Sequence, residues 1–211
     1  MRFRKIKNLD KRLEENKELI LTEAIEHKGR WKFFFGNNNQ IHLEIGMGKG
    51  QFIEKMALLN PNINFIGVEK ELGCLIKAAE KLEKRMPNLI FVHFDASNIL
   101  DLFSENEITK LYLNFSDPWP KARHAKRRLT ANSYLDSYKH ILISPCDIEM
   151  KTDNLGLFNY SVEMYKEANF EILEISYDLH KDKEDIVTTE YEDKFTALGE
   201  KINYVHVNYK K

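Results

Sequence analysis

The chain predicts one α/β domain with a Rossmann-like, mostly parallel seven-stranded sheet. Helices cover both faces, and a closing edge strand is antiparallel. Three observations predict this. Short apolar runs alternate with amphipathic segments along the 211 residues, as in right-handed strand–helix–strand units. The first run ends in a glycine loop, Gly46-Met47-Gly48-Lys49-Gly50. Five acidic residues, Glu44, Glu69, Asp95, Asp117 and Asp153, stand at or just past the ends of successive apolar runs. Open α/β sheets bind ligands beyond the carboxyl ends of their strands, so five acids there mark one candidate site.

The elements follow in order. Ile41 to Ile45 is a buried strand leading into the glycine loop. Gln51 to Leu59 has a helical apolar face of Phe52, Ile53, Met56, Ala57 and Leu59. Ile63 to Val68 is the second strand. Leu72 to Met86 is a helix with Leu72, Leu75, Ile76, Ala79 and Leu82 inward. Leu89 to Phe94 and Lys110 to Phe115 are the third and fourth strands. Leu129 to Ile143 is helical, capped by Asn132 or Thr130. Asp147 to Lys151 is the fifth strand and Leu155 to Ala168 the next helix. Phe170 to Leu179 and Ile202 to Tyr209 close the sheet. The polar connection between them, His180 to Lys201, shows no clear amphipathic helix. Such long loops are uncommon and usually functional or mobile.

Composition bounds the function. Hydrophobic residues (43%) suffice for a full core, and charged residues (31%) suit a soluble surface. The net charge of −1 excludes a globally basic coat protein, so any polyanion site must come from uneven charge. Two basic runs stand out: Lys121 to Arg128, and Arg2, Arg4, Lys5, Lys7, Lys11 and Arg12 near the start. The bland alternative for both is a solvated surface. Cys74 and Cys146 form no metal spacing and read as free thiols of a reducing compartment. No metal site is expected. The N-terminus lacks an apolar signal core, and no run approaches a membrane span. A cytoplasmic protein without membrane contact is expected.

The glycine loop is not a P-loop, because no Ser or Thr follows Lys49. It departs from the dinucleotide fingerprint, because Gln51 stands where a third glycine is needed. Glu44 would oppose a pyrophosphate but suits a cation. S-adenosylmethionine carries a sulfonium and an ammonium, so the charge logic favours it. Gly46 and Gly48 are then cofactor-binding positions, Glu69 accepts from ribose hydroxyls, and Asp95 lies where an adenine edge would be. The bland alternative is a plain strand-to-helix turn.

Asn114 to Arg128 is the densest chemical segment. Asp117 stands beside Pro118 and Trp119, and Lys121, Arg123, Lys126, Arg127 and Arg128 follow. Proline restricts its own φ and its predecessor's conformation, so an extended, stiff loop is expected for Asp117 and Trp119. A carboxylate beside an aromatic and a basic run suggests chemistry on a nucleic-acid base, with phosphates held by the run.

These blocks resemble a known family. Leu43 to Gly50 (L-E-I-G-M-G-K-G), Asn114 to Lys121 (N-F-S-D-P-W-P-K), Arg123 to Leu129 (R-H-A-K-R-R-L) and Thr189 to Phe195 (T-E-Y-E-D-K-F) look like those of the bacterial tRNA (guanine-N7-)-methyltransferases. The resemblance implies the class I methyltransferase fold, S-adenosylmethionine as cofactor, and methylation of N7 of guanine 46 in the tRNA variable loop. It implies cofactor contacts at Glu44, Glu69, Asp95 and Asp117. Substrate contacts fall on Lys121, Asp153 and Thr189, Glu190, Tyr191 and Glu192. RNA contacts fall on Arg123, His124, Lys126, Arg127 and Arg128. Two positions depart from the family: Ala122 replaces a frequent second lysine, and Phe94 replaces a glycine often found before Asp95.

The expected organisation is a single domain over residues 1–211, with a basic arm at about 1–39 and a substrate-binding loop at about 180–201, acting as monomer or homodimer. Asp117 is the expected catalytic group, stabilising the cationic methylated base or accepting from base N–H groups. Three alternatives remain open on residues alone. One is methylation of another RNA or a small molecule. Another is a non-catalytic RNA-binding module. The third is an NAD-dependent oxidoreductase, which Gln51 and Glu44 disfavour.

Overall fold

The computed structural model describes residues 7–211. Arg2, Arg4 and Lys5 of the expected arm lie outside the described residues. One sheet organises the chain. Its strands are β1 (Ile20–Leu21), β2 (Gln40–Ile45), β3 (Ile63–Glu69), β4 (Leu89–His93), β5 (Ile108–Asn114), β6 (Leu142–Thr152), β7 (Glu171–Ser176) and β8 (Asn203–Tyr209). They lie in the order β1-β4-β3-β2-β5-β6-β8-β7. β1 to β6 pair in parallel, while β8 inserts antiparallel between β6 and β7. The seven expected strands are joined by β1, whose two residues are too few to show a period.

Strand alternation divides the core. Ile41, Leu43, Ile45, Ile66 and Val68 pack with Leu135, Tyr138, Phe158 and Tyr165 on one face. Phe65, Phe91 and Tyr112 pack with Phe52, Ile53, Leu75 and Ile76 on the other. Helices therefore cover both faces. The strand order reverses between β2 and β5, so the carboxyl ends diverge there and open a crevice.

Several local expectations change. The helix Asn132–Ile141 begins at Ala131 without a side-chain cap. Thr130 is instead buried, its hydroxyl 2.7 Å from that of Ser161. β6 starts at Leu142, well before Asp147, because the helix stops at Ile141 and the chain turns directly into the sheet. The connection after β7 holds two short helices, Leu179–Asp182 and Glu190–Thr196. The second is nucleated by a capping box: Thr189 accepts from the Glu192 N–H, and Glu192 reaches back to the Thr189 N–H. Its one buried residue is Glu192, so no apolar period announces it.

The segment 7–39 packs into the fold. Trp31 is fully buried and donates from Nε1 to the Leu102 carbonyl. Arg12 grips Glu80 through Nε and Nη2, so a cation of the first basic run is engaged within the protein. Among the described residues no helix is long and apolar enough to cross a membrane.

Candidate active site

The crevice between β2 and β5 opens into a cleft of about 670 Å³. Gly46, Gly48, Glu69, Asp95, Asp117 and Trp119 all line it, beside Phe115 and Tyr134. Of the five acids of the sequence pattern, Glu69, Asp95 and Asp117 line it, while Glu44 and Asp153 do not. The cleft is of the size that takes a small-molecule cofactor.

Glycine conformation shapes one wall. Gly46 and Gly48 have φ of 77° and 56°, and a Cβ on either would meet no atom within 4 Å. Left-handed backbone at both lets the chain turn sharply while leaving the cleft open beside it. Met47, between them, points inward and is buried. It packs against Gly67 of β3, where an added Cβ would stand 2.3 Å from the Met47 sulfur. Gly67 is therefore part of the loop's seat, although it lies outside the glycine motif.

Glu44 does not line the cleft; it is buried in β2, one residue before the lining residue Ile45. It is 1% exposed, and Oε1 accepts 2.8 Å from Asn114 Nδ2 on the neighbouring strand. Oε2 is buried without a hydrogen-bond partner. Burial pushes the carboxyl up to about 7, against the Asn114 hydrogen bond and the attraction of Lys151. Glu69 accepts from the N–H groups of Gly48 (3.1 Å) and Glu71 (3.0 Å), one on each oxygen. Each oxygen keeps a second acceptor position. Burial raises the Glu69 pKa, in opposition to those backbone donors. Asp95 has ordinary extended backbone (φ −89°, ψ 116°) and caps the turn Ala96–Asn98. Phe94 in place of glycine thus does not divert it. The Ser97 N–H, 2.9 Å from Oδ1, holds the Asp95 pKa below its usual value.

This arrangement fits S-adenosylmethionine. Glu69 and Asp95 offer acceptors along the cleft, and Glu44, buried just before the lining residue Ile45, has an unpaired oxygen that suits a cation.

The Asp117 loop is stiff but not uniformly extended. Phe115 and Trp119 have φ of 52° and 40°, a left-handed conformation that non-glycine residues adopt only when their surroundings impose it. Arg128 supplies the constraint. Its Nε and Nη2 donate to the carbonyls of Pro118 and Trp119, both at 3.1 Å, and its guanidinium lies 4.2 Å from the Tyr160 ring centre. Arg128 thus holds the loop from within and is not free to face RNA. Arg127 lies 4.9 Å over the Trp119 ring, and His124 meets that ring edge-on. Lys121, Arg123, Lys126 and Arg127 are exposed along the turn Ala122–Arg127. Asp117 is exposed at the cleft wall.

The C-terminal motif divides in the same way. Tyr191 donates to Asp153 Oδ2 at 3.2 Å, stacks on Phe195 at 4.1 Å and approaches Phe115 at 5.1 Å. Asp153 and Tyr191 are therefore brought together beside the cleft residue Phe115. Asp153 does not cap the following helix, since Asn154 accepts from the Leu157 N–H. Thr189 and Glu192 are turned into the capping box, and Glu190 pairs with Lys49 (2.7 Å) and Lys81. Those three residues hold the segment itself; Tyr191 is the one left half-exposed.

The strand order, the glycine loop and the acids at the following strand ends define a methyltransferase of the class I fold. Comparison with known proteins agrees. A family model described as "Putative methyltransferase" matches residues 38–205. The tRNA (guanine-N(7)-)-methyltransferase of Brevibacillus brevis is 44% identical over 99% of this chain and 98% of the relative. That of Streptococcus pyogenes is 44% identical over 99% and 100%. The chain belongs to the tRNA (guanine-N(7)-)-methyltransferase family. Among solved structures, the 16S rRNA methyltransferase KamB superposes with a TM-score of 0.67 at 12% identity, covering 87% of this chain and 94% of that one. The 16S rRNA (adenine(1408)-N(1))-methyltransferase of Catenulisporales acidiphilia gives 0.63 at 11%, covering 87% and 93%. At those identities the likeness is one of fold.

Proposed function

We propose that this chain transfers a methyl group from S-adenosylmethionine to N7 of a guanine in tRNA, at position 46 of the variable loop. The observation that carries the proposal is the cleft itself. A cleft lined by Glu69 and Asp95 also carries an exposed carboxylate, Asp117, on the loop that leads into a cationic turn.

S-adenosylmethionine supplies an electrophilic methyl carbon. Glu44 would hold its ammonium group, Glu69 the ribose hydroxyls and Asp95 the adenine edge, with Gly46 and Gly48 clearing space. Guanine N7 offers an unprotonated lone pair, so no residue must remove a proton first. The rate gain comes chiefly from positioning. The product base is cationic, and Asp117 stabilises the developing charge. Trp119 walls the base pocket. Lys121, Asp153 and Tyr191 contact the substrate, while Thr189, Glu190 and Glu192 hold the substrate segment in place. Arg123, His124, Lys126 and Arg127 dock tRNA phosphates, and Arg128 fixes the loop that presents them. The single domain acts as a monomer or homodimer in the cytoplasm, a setting that two free thiols, Cys74 and Cys146, suit.

The test is incubation with labelled S-adenosylmethionine and unmodified tRNA, followed by mapping of the labelled nucleotide. Label at guanine N7 in the variable loop supports the proposal. Label elsewhere, or none, rejects it.

A further inference from the structure

We propose that Lys151 is a positioning residue, which seats the segment 179–196 beside the cofactor loop through a buried ion pair with Glu192. The inference deepens the methyl-transfer reading and rests on it.

Lys151 lies near the end of β6 and is 4% exposed. Its Nζ donates to the Val187 carbonyl at 2.7 Å and to Glu192 Oε2 at 2.8 Å, and lies 5.1 Å from the centre of the Phe52 ring. Glu192 is fully buried, and its other oxygen stands 2.9 Å from His180 Nε2. One lysine rooted in the sheet thus holds Val187 and Glu192 directly, and His180 through Glu192. A buried ion pair does little for net stability compared with an apolar pair, but removing one partner leaves a costly unpaired charge. The pair therefore admits one placement of the segment and penalises others.

That placement has a catalytic consequence. Tyr191 precedes Glu192 and is thereby brought to Asp153 and Phe115. Lys151 also stands beside Asn114 in the parallel β5–β6 register. Asn114 is the residue that holds Glu44. The same cation thus lies between the buried Glu44–Asn114 pair and Glu192, the anchor of the substrate segment. No other basic side chain reaches both Val187 and Glu192 among the described residues.

The test uses the full chain with Lys151→Met, Glu192→Gln and the double variant, each checked by circular dichroism and melting. Hydrogen exchange reads the 187–196 amides, and single-turnover methylation and tRNA binding are measured separately. In Lys151→Met, exchange at 187–196 should rise and the single-turnover rate fall by about 100-fold, the scale of a misplaced reacting group. Affinity for tRNA should stay within about threefold, because phosphate contacts dominate it. The double variant should be no slower than Lys151→Met, since neither charge is then left alone. Glu192→Gln gives the same exchange readout if Lys151→Met does not fold. Unchanged exchange and rate in the single variants overturn the role of Lys151, as does a rate loss that only tracks lost tRNA affinity. A wild-type chain that methylates no tRNA overturns the proposed function instead, and leaves the exchange result to decide on Lys151.

Discussion

Glu44 is held by Asn114 through one oxygen only: Oε1 accepts the 2.8 Å hydrogen bond, and Oε2 is buried without a partner. A half-satisfied buried carboxyl resists ionisation, and burial raises its pKa to about 7 from an ordinary 4.5. A cationic ligand that reached Oε2 would supply the missing partner and reverse that resistance.

Cofactor binding should therefore release a proton. At pH 6 the free protein holds Glu44 largely protonated, and binding of a cation should expel about one proton. Calorimetry in buffers of differing ionisation enthalpy measures this, and Glu44→Gln should abolish the release while weakening binding. Stability follows the same linkage. Below pH 4.5 the group is protonated in native and unfolded chains alike, so its contribution is intact. Between there and about pH 7 the unfolded chain ionises first, and stability falls by roughly 1.4 kcal/mol per pH unit. Glu44→Gln should remove that decline, leaving the ligand-free variant more stable than wild type at pH 8. Melting curves across pH give the comparison.

Arg128 and Arg127 are adjacent in sequence but should behave differently. Arg128→Ala loses two hydrogen bonds to the Pro118 and Trp119 carbonyls and the Tyr160 contact. It should lower stability by about 1–3 kcal/mol and slow methyl transfer by loosening the Asp117 loop. Arg127→Ala should instead leave stability nearly unchanged and weaken tRNA binding. The slope of log K against log salt should become shallower by about one unit. Equal salt slopes for Arg127→Ala and wild type would remove Arg127 from the phosphate grip.

The parts of this fold written in apolar periods were legible before any coordinates. β2 to β5 are buried runs between glycine, proline and polar punctuation, and the acids after β3, β4 and β5 line the cleft as the topology requires. What was not legible lies where polar atoms do the packing. The helix Glu190–Thr196 hides its only buried residue behind a charge, Glu192. The Thr189-x-x-Glu192 capping box was a readable signal that the polar composition masked. Which cation of the Lys121–Arg128 run turns inward depends on the carbonyls it meets, and residue type does not encode that. Asn114, Gly67 and Lys151 act through neighbours distant in sequence, so local spacing gave no sign of them.

Gly67 shows how such a distant neighbour can be tested. Its Cα faces the Met47 side chain, and a Cβ would stand 2.3 Å from the sulfur and 3.3 Å from Cγ. Gly67→Ala should displace Met47 and unsettle the loop between Gly46 and Gly50. The cost of such overpacking is about 1–3 kcal/mol, with a matching loss of S-adenosylmethionine affinity. Met47→Ala in the same chain should recover part of that loss by making room. Calorimetric titration of the single and double variants measures the recovery.

Asp117 is exposed at the cleft wall, on a loop held by Arg128 rather than by its own carboxylate. Its charge can therefore be removed without disturbing what positions it. Asp117→Asn should keep the melting temperature within about a degree of wild type, because exposed substitutions rarely change stability by more than about 0.5 kcal/mol. Turnover should nonetheless fall by about 100-fold or more, the usual loss when a group aimed at developing charge is removed. An acceptor of base N–H groups would show a different pattern. The asparagine carbonyl can still accept, so the loss would fall mainly on the KM for tRNA. A fall confined to kcat assigns Asp117 to the developing positive charge on the guanine; a rise confined to KM assigns it to recognition of the base edge.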